Sequence, residues 1–322
     1  MRISRFRRGA FGAGLVSALL AGCAGAPSAI SPPKSAGDGQ AKVFAKTPQL
    51  LYVSTARKGV DIYRYDSDQL VGRIGFHGKP LTGICSDNQG HVWVPTSNDN
   101  GAIVEYAHGG STPIRTLSAP SNYGLLGCSV DAGTGDLAVT GSCDYGSGRC
   151  LSSGSIFIYH HAQGRPVIYQ DPNLPAPTSC AYDNEGDLFV DGETGTADRD
   201  FGLAELRSGS KKFTKLSLNK ELNDFGGVQT IGPNLAVANG ASIDEFSVNG
   251  NNGVEVAQIP IYDANGVYSF WVYEKSLIVA SFGNNQVQYY KFPAGGNPNR
   301  RIFVDGPKGV TVSVAPSASV TR

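Results

Sequence analysis

Residues 80–94 of this 322-residue chain read PLTGICSDNQGHVWV, which is a short strand-like segment, a polar turn and a second, apolar strand. Apolar side chains that alternate with small or polar ones are typical of a strand with one buried face. In the turn, the Asp87 side chain can accept hydrogen bonds from the backbone ahead of it, and Gly90 can adopt the positive φ that closes a tight hairpin. The stretch therefore predicts a β-hairpin whose aspartate is structural.

The second strand of this hairpin recurs along the chain. Apolar triplets recur at steps of 41, 45, 51, 47 and 42 residues, and they begin at Leu51, Val92, Leu137, Leu188, Leu235 and Leu277. Each triplet is followed by a loop rich in Gly, Asn and Ser and then by another strand-like segment. A period of 40–50 residues holds about four short strands, which is one blade of a β-propeller.

The ends of the repeat region predict how the ring closes. Inner strands are expected at six places, near Gly83, Gly127, Cys180, Val228, Phe270 and Thr311. The region begins with the second strand of a blade, at Leu51, and ends with an inner strand at residues 309–314. Pairing these two strands removes the exposed edges of an open array. We therefore predict an all-β, six-bladed β-propeller over residues 49–316, closed by pairing of the C-terminal strand with the N-terminal blade and followed by a tail at 317–322.

The repeat units resemble those of a known group of propellers. Residues 80–94, with Leu51-Tyr52-Val53-Ser54 and Val60-Asp61-Ile62-Tyr63, are similar to the repeats of NHL/YVTN-type propellers, in the gluconolactonase-like superfamily in its broad sense. The likeness covers most of residues 49–316 and consists of fold motifs. Relatives of this type include lactonases, lyases, sensors and protein-binding scaffolds, so the resemblance implies a fold and leaves the function open.

The first 22 residues have the pattern of an export signal. Four arginines and no acid precede about 13 small apolar residues, a run too short to cross a bilayer as a helix. The segment ends in Leu20-Ala21-Gly22-Cys23, which resembles the lipobox of bacterial lipoproteins. That resemblance implies cleavage before Cys23 and acylation of Cys23 with palmitate-type chains, which anchor a protein stably. Ala24 favours the outer membrane in a cell that has two membranes.

The composition of the remaining residues predicts a tether and limits the kinds of partner that the chain can bind. Residues 23–48 comprise Cys23 and a segment rich in Ala, Ser, Pro and Gly, which predicts a disordered tether. Removing the four leader arginines from the 27 basic residues leaves 23 against 27 acids, a formal charge of −4. Nucleic-acid binders normally have a basic surplus, so that class is excluded. We expect a monomer in the cell envelope, which would be periplasmic in a cell with two membranes. It should contact the membrane through its lipid and bind an unknown small ligand or envelope protein.

Six cysteines in an exported chain indicate disulfides. Cys143 and Cys150 flank a polar insertion and are predicted to form a local bridge; the alternative is two free thiols. Cys85, Cys128 and Cys180 lie on three successive inner strands. Counted from the turn aspartates, Cys85 has the opposite phase to the other two, and strand side chains alternate between faces. This phase allows a Cys85–Cys128 bridge that leaves Cys180 as a buried free thiol, and it disfavours a zinc site of three thiols.

Propeller ligands usually bind at the mouth of the central channel. The loops expected there carry nine acidic or imidazole side chains, which are His77, Asp99, Asp144, Asp191, Glu193, Asp198, Asp200, Asp224 and Asp263. Calcium takes six to eight oxygen ligands, and these acids could supply some, but their spacing matches no calcium loop. The inner strands offer Gly, Ser and Thr in place of the carboxylates that a gluconolactonase-like enzyme would need. We therefore assign no metal or cofactor.

The sequence leaves three functions open. The favoured interpretation is a lipid-anchored extracytoplasmic propeller that acts as a ligand- or protein-binding scaffold. The alternative is a propeller enzyme, a lactonase or lyase, with its active site at the channel mouth and catalytic residues that the sequence does not identify. The third is a mainly structural envelope component. No nucleophile triad or phosphate loop is evident in the sequence.

Overall fold

A computed structural model describes residues 49–76, 81–97, 101–120, 123–143, 153–194, 200–222, 224 and 226–315, except for the Cys143 side chain. The predictions for the leader, Cys23, the tether and the tail at 317–322 lie outside these residues. The described part forms six small sheets and a short 3₁₀ turn at His160–Ala162. Within it, no helix has the length and apolar content needed to span a bilayer.

The first three sheets are called blades 1 to 3. Blade 1 consists of β1 (Gln49–Thr55), β2 (Gly59–Arg64), β3 (Leu70–Ile74) and, as its inner strand, β25 (Pro307–Val314). Blade 2 consists of β4 (Cys85–Ser86), β5 (Val92–Pro95), β6 (Ala102–Tyr106) and β7 (Pro113–Ser118). Blade 3 consists of β8 (Tyr123–Val130), β9 (Leu137–Cys143), β10 (Ser155–Tyr159) and β11 (Val167–Tyr169).

The other three sheets are blades 4 to 6. Blade 4 consists of β12 (Ala176–Tyr182), β13 (Leu188–Glu193), β14 (Phe201–Leu206) and β15 (Thr214–Lys215). Blade 5 consists of β16 (Ser217–Leu218), β17 (Val228–Ile231), β18 (Asn234–Asn239), β19 (Ser242–Asn249) and β20 (Asn252–Pro260). Blade 6 consists of β21 (Val267–Tyr273), β22 (Ser276–Ser281), β23 (Gln286–Lys291) and β24 (Gly295–Phe303).

Blade 1 closes the ring as the sequence predicts. Strand β25 pairs antiparallel with β1 in a register that sets Tyr52 opposite Thr311 and Val53 opposite Val310. The sheet order β25-β1-β2-β3 therefore joins the two ends of the propeller in one blade. The predicted six-bladed fold and its closure are confirmed.

Blade 5 has one strand more than the four expected. Strand β15 pairs with β14 of blade 4, but β16 pairs in parallel with β20, with Ser217 opposite Asn252. Residues 214–218 thus cross from the outer edge of one blade to that of the next. The buried Leu216 side chain, which packs in the apolar cluster between the two blades, explains the crossing.

The core lies between the blades. Leu50 and Tyr52 pack against Val92 of blade 2, whereas Leu51 and Val53 pack against residues of blade 6. Successive side chains of a strand point to opposite faces, so the second and third strands of a blade, which are covered on both sides, are apolar at nearly every position. This two-sided burial is why the repeat appears as continuous apolar triplets.

The aspartates of the turns are structural, as predicted. Asp87 Oδ1 accepts hydrogen bonds from the backbone N–H groups of Gln89 and His91, at 2.9 and 2.8 Å. Asp183 makes the same pair of bonds two repeats further along the chain, in blade 4. Gly90 has a φ of +81°, the left-handed conformation that favours glycine.

Candidate functional site: the central channel

The six inner strands surround a cavity of about 520 Å³. Its lining comes from β4, β8, β12, β17, β21 and β25 and from the residues that lead into them. The volume lies within the range of about 300–1,000 Å³ that is usual for small-molecule sites. A propeller thus brings to one place residues that are more than 200 positions apart in the chain.

Small residues let the inner strands approach one another at the mouth end of the channel. A Cβ on Gly127 would lie 2.8 Å from the Cα of Ser179 in the next blade, and a Cβ on Gly83 would collide with the Leu126 carbonyl oxygen. Larger residues here would push the inner strands apart. The glycines of the inner strands are therefore requirements of the narrow channel.

Each inner strand pairs with another strand on one side only. The backbone N–H and C=O groups of its other edge face the channel and have no partner strand. Side chains of neighbouring blades accept four of these N–H groups: Ser129 Oγ from Tyr182 at 3.0 Å, Ser179 Oγ from Val228 at 3.3 Å, Gln229 Oε1 from Val272 at 2.8 Å and Ser269 Oγ from Val310 at 3.5 Å. The serine and glutamine side chains of the wall thus connect one blade to the next.

Other side chains of the wall donate hydrogen bonds to backbone carbonyl groups of the neighbouring blade. Ser86 Oγ donates to the Val312 carbonyl at 2.9 Å, Thr82 Oγ1 to that of Leu125 at 2.7 Å, and Thr230 Oγ1 to that of Tyr182 at 2.7 Å. With the four N–H contacts, these bonds cross all six interfaces between adjacent inner strands. The polar groups of the wall therefore hold the ring together, and they leave a preformed, largely neutral channel.

A disulfide reinforces one of these interfaces. Cys85 of blade 2 and Cys128 of blade 3 are bonded, with Cα atoms 5.7 Å apart, and both line the cavity. Cys180 is a buried free thiol, and burial raises its pKa strongly. The phase argument for this pairing is confirmed. The predicted bridge between Cys143 and Cys150 lies outside the described side chains.

Asp191 is fully buried behind the channel wall. It lies in β13, where its Oδ1 accepts hydrogen bonds from Thr178 Oγ1 and the Ser179 N–H, both at 2.7 Å. Desolvation raises the pKa of Asp191 to about 6, although hydrogen bonds from Thr178, Ser179 and the Gly227 backbone offset part of the rise. The hydrogen bonds from Thr178 and Ser179 hold β13 to the inner strand of its own blade, and Asp191 does not line the cavity.

The structure disperses the other predicted mouth residues that it describes. Asp224 lines the cavity. Glu193 ends β13, Asp200 precedes β14, and Asp263 forms an exposed ion pair with Arg301 at 2.9 Å. His77, Asp99, Asp144 and Asp198 lie outside the described residues. Among the lining residues that the structure describes, Asp224 alone has a carboxylate.

An aromatic pair at the mouth was not predicted. The Lys308 ammonium lies 3.3 Å from the ring centre of Tyr268 and 3.9 Å from that of Phe282, and the two rings are 5.2 Å apart. Tyr268 lines the cavity and is 49 % exposed. The sequence does show an aromatic residue, Tyr268, at the start of an inner strand. Its contact with Lys308 could not be predicted, because the lysine is 40 positions away and only the fold brings the two together.

Comparisons with known proteins support the fold. No protein-family model matches the chain, and no curated protein matches it in sequence. A chain from the crystal structure of a nidogen/laminin complex superposes with a TM-score of 0.60 at 12 % identity, over 83 % of this chain and 98 % of that one. A protein of unknown function from Bacteroides caccae gives the same TM-score and identity, over 83 % of this chain and 99 % of its own. At this identity the likeness shows the fold alone.

Proposed function

We propose that this chain is a lipid-anchored, extracytoplasmic β-propeller of NHL/YVTN type that binds a small ligand or an envelope protein at the mouth of its channel. The observation that carries the proposal is the preformed cavity of about 520 Å³ with an exposed aromatic ring, Tyr268, at its rim. Concave, mostly apolar cavities with a few placed polar groups are the usual binding sites of proteins. The wall is already held by its own hydrogen bonds, so a ligand would enter a rigid site.

The cysteines support the extracytoplasmic part of the proposal. Disulfides form and persist in oxidising compartments, and Cys85–Cys128 bridges two blades. The lipobox-like Leu20-Ala21-Gly22-Cys23 accounts for the cysteine that precedes the tether. In a cell with two membranes, the expected place is the outer membrane.

Partner binding has one further support. The exposed ring of Tyr268 at the mouth is of a residue type that is enriched in protein interfaces. A small ligand and a protein partner would both contact Tyr268 at the rim.

The binding proposal is tested with a panel of small neutral and charged compounds, followed by ligand-observed NMR. We expect compounds that bind the wild-type chain and compete with one another, and we expect Tyr268→Ala to weaken them. Tyr262→Ala is the matched control, because Tyr262 is 56 % exposed but does not line the cavity. Absence of any bound compound, or binding that is equal in the Tyr268→Ala chain, would contradict a ligand site at the mouth.

The anchor is tested by growth with radioactive palmitate. The wild-type chain should be labelled and the Cys23→Ala chain should not, whereas a Cys180→Ala chain should keep the label because Cys180 is buried in the propeller. Label retained in the Cys23→Ala chain would disprove lipidation at that residue. This outcome is independent of whether the channel binds a ligand.

A further inference from the structure

Three potential metal ligands converge at the hairpin turn of blade 2, at the end of the inner strand opposite the channel mouth. His91 Nδ1 lies 3.2 Å from Asp87 Oδ2 and 3.1 Å from Glu105 Oε1. The three ligand atoms all lie within 4.8 Å of one another. Asp87 and His91 come from the turn, and Glu105 comes from β6, where it is opposite Trp93.

Each carboxylate is oriented by a second contact. Asp87 uses Oδ1 to accept the two N–H groups of its turn, which leaves Oδ2 to face His91. Glu105 Oε2 lies 3.1 Å from Arg115 Nε, which leaves Oε1 to face His91. Outer contacts that fix ligating side chains in this way are a regular feature of metal sites.

The protein atoms alone satisfy this cluster incompletely. An imidazole Nδ1 carries at most one proton, and here it faces two carboxylate oxygens at nearly equal distances. Glu105 is 97 % buried, so its carboxylate has lost most of its contact with water. A divalent cation in place of the shared proton would bind all three atoms and would compensate the buried charge.

Blade 4 contains the same framework without the imidazole. Asp183 forms the equivalent turn, and Glu205 Oε2 pairs with Arg207 Nε at 3.0 Å, as Glu105 does with Arg115. The position of His91 is taken there by Asp187, whose Oδ1 accepts the Ser208 N–H at 2.7 Å. A turn and an ion pair of this kind therefore form without a histidine, so His91 is an addition to a structural motif.

We propose that Asp87, His91 and Glu105 bind a divalent transition-metal ion, for which zinc is the best match. Imidazole and carboxylate are common zinc ligands, and ligand atoms 2.0–2.2 Å from a tetrahedral zinc lie about 3.3–3.6 Å apart. The two distances from His91 to the carboxylates, 3.1 and 3.2 Å, need to open only slightly, and the two carboxylate oxygens, which lie within 4.8 Å of each other, are within reach of the same ion. His91 and Asp87 are partly exposed, so water can complete the coordination from the solvent side. This site is separate from the channel and does not rest on the proposed ligand binding.

The test is a calorimetric titration of the untagged full chain with zinc chloride. The wild-type chain should bind one ion, and Glu105→Gln and His91→Gln should each weaken binding by at least about tenfold, a loss that outer-shell changes alone can reach. Asp183→Asn is the matched control, because it alters the equivalent turn in blade 4 and should leave the affinity unchanged. A wild-type chain that binds no zinc at micromolar concentrations would overturn the proposal.

A second measurement guards against variants that fold poorly. Cobalt(II) added to the wild-type chain should give visible absorption bands of a four- or five-coordinate ion, which are absent for cobalt in buffer. These bands should disappear in His91→Gln while its thermal unfolding remains cooperative. Bands that persist in folded His91→Gln would place the ion elsewhere and would also overturn the proposal.

Discussion

Two of the interfaces between blades are closed by different chemistry. Between blades 2 and 3 the inner strands are joined covalently, by Cys85–Cys128. Between blades 4 and 5 the corresponding strands are joined by hydrogen bonds, from the Val228 N–H to Ser179 Oγ and from Thr230 Oγ1 to the Tyr182 carbonyl, and the buried carboxyl of Asp191 lies behind this interface. The geometry of the ring requires that every interface be closed but does not prescribe how. The contribution of the first interface to the stability of the chain should therefore depend on reductant, and that of the second should depend on pH.

Removal of the disulfide should have the largest effect on stability. The bridge joins residues 43 positions apart, and in the chain-entropy model a closed loop of this length is worth about 4 kcal/mol. The Cys85→Ala/Cys128→Ala chain should therefore lose about 2–4 kcal/mol in denaturant unfolding. Dithiothreitol should destabilise the wild-type chain more than the double variant, in which only the predicted local Cys143–Cys150 bridge is left to reduce. Equal sensitivity of both chains to reductant would show that this bridge is not the one that matters.

Asp191 should make the other interface sensitive to pH. Its pKa of about 6 in the folded state lies above the unfolded value near 3.9, so the folded state binds the proton more tightly. The resulting stabilisation is complete below about pH 4 and is lost as the pH rises through 6, with a total of about 2–3 kcal/mol.

The measurement is urea unfolding of the wild-type and Asp191→Asn chains between about pH 4 and pH 7.5. Other buried acids titrate in both chains, so the quantity of interest is the difference between them. This difference should shift in favour of Asp191→Asn as the pH rises through 6. Asp305→Asn, at an exposed carboxylate, should reproduce the wild-type profile. A difference that does not vary with pH would mean that the Asp191 carboxyl does not titrate in this range.

The contrast between these interfaces also shows what the sequence could reveal. Strand phase allowed a bridge between Cys85 and Cys128, which the structure contains, because the alternation of side chains is a local property of the sequence. Asp191 was expected in a mouth loop, but β13 continues to Glu193 and carries the aspartate into the interior. The strand end depended on pairing with β12 and β14, which no local pattern encodes.

The same limit applies to the fifth strand of blade 5 and to both candidate sites. Leu216 is one apolar residue among polar ones, and its burial depends on the gap between two blades. Asp87 was correctly predicted as a turn residue, yet its contact with Glu105 requires the register of β5 against β6. The repeat period predicts the ring well because it is a sum of many local signals. A site is formed by a few residues that are far apart in the sequence, so the repeat period does not reveal it.

A single hydrogen bond at the interface of blades 4 and 5 should matter less than either the bridge or the carboxyl. Thr230 Oγ1 donates to the Tyr182 carbonyl at 2.7 Å in a partly buried place. Thr230→Val keeps the shape and removes the donor, so it should cost about 1 kcal/mol or slightly more in urea unfolding at pH 7. Thr214→Val, in the short outer strand β15, is the control. An equal loss in the two variants would assign the effect to the change of side chain rather than to the wall.

The ion pair between Lys58 and Asp305 should have the smallest effect, although it also joins parts of the chain that are far apart in sequence. Lys58 Nζ lies 3.1 Å from Asp305 Oδ2, and the two side chains are 56 % and 51 % exposed. Exposed pairs gain little because water screens the attraction and two flexible side chains must be held in place. Asp305→Ala should therefore change the free energy of unfolding by less than about 1 kcal/mol, and added salt should reduce even that. A loss comparable to that of the disulfide variant would mean that ring closure depends on surface charge, and the ranking of these contacts by burial would then be wrong.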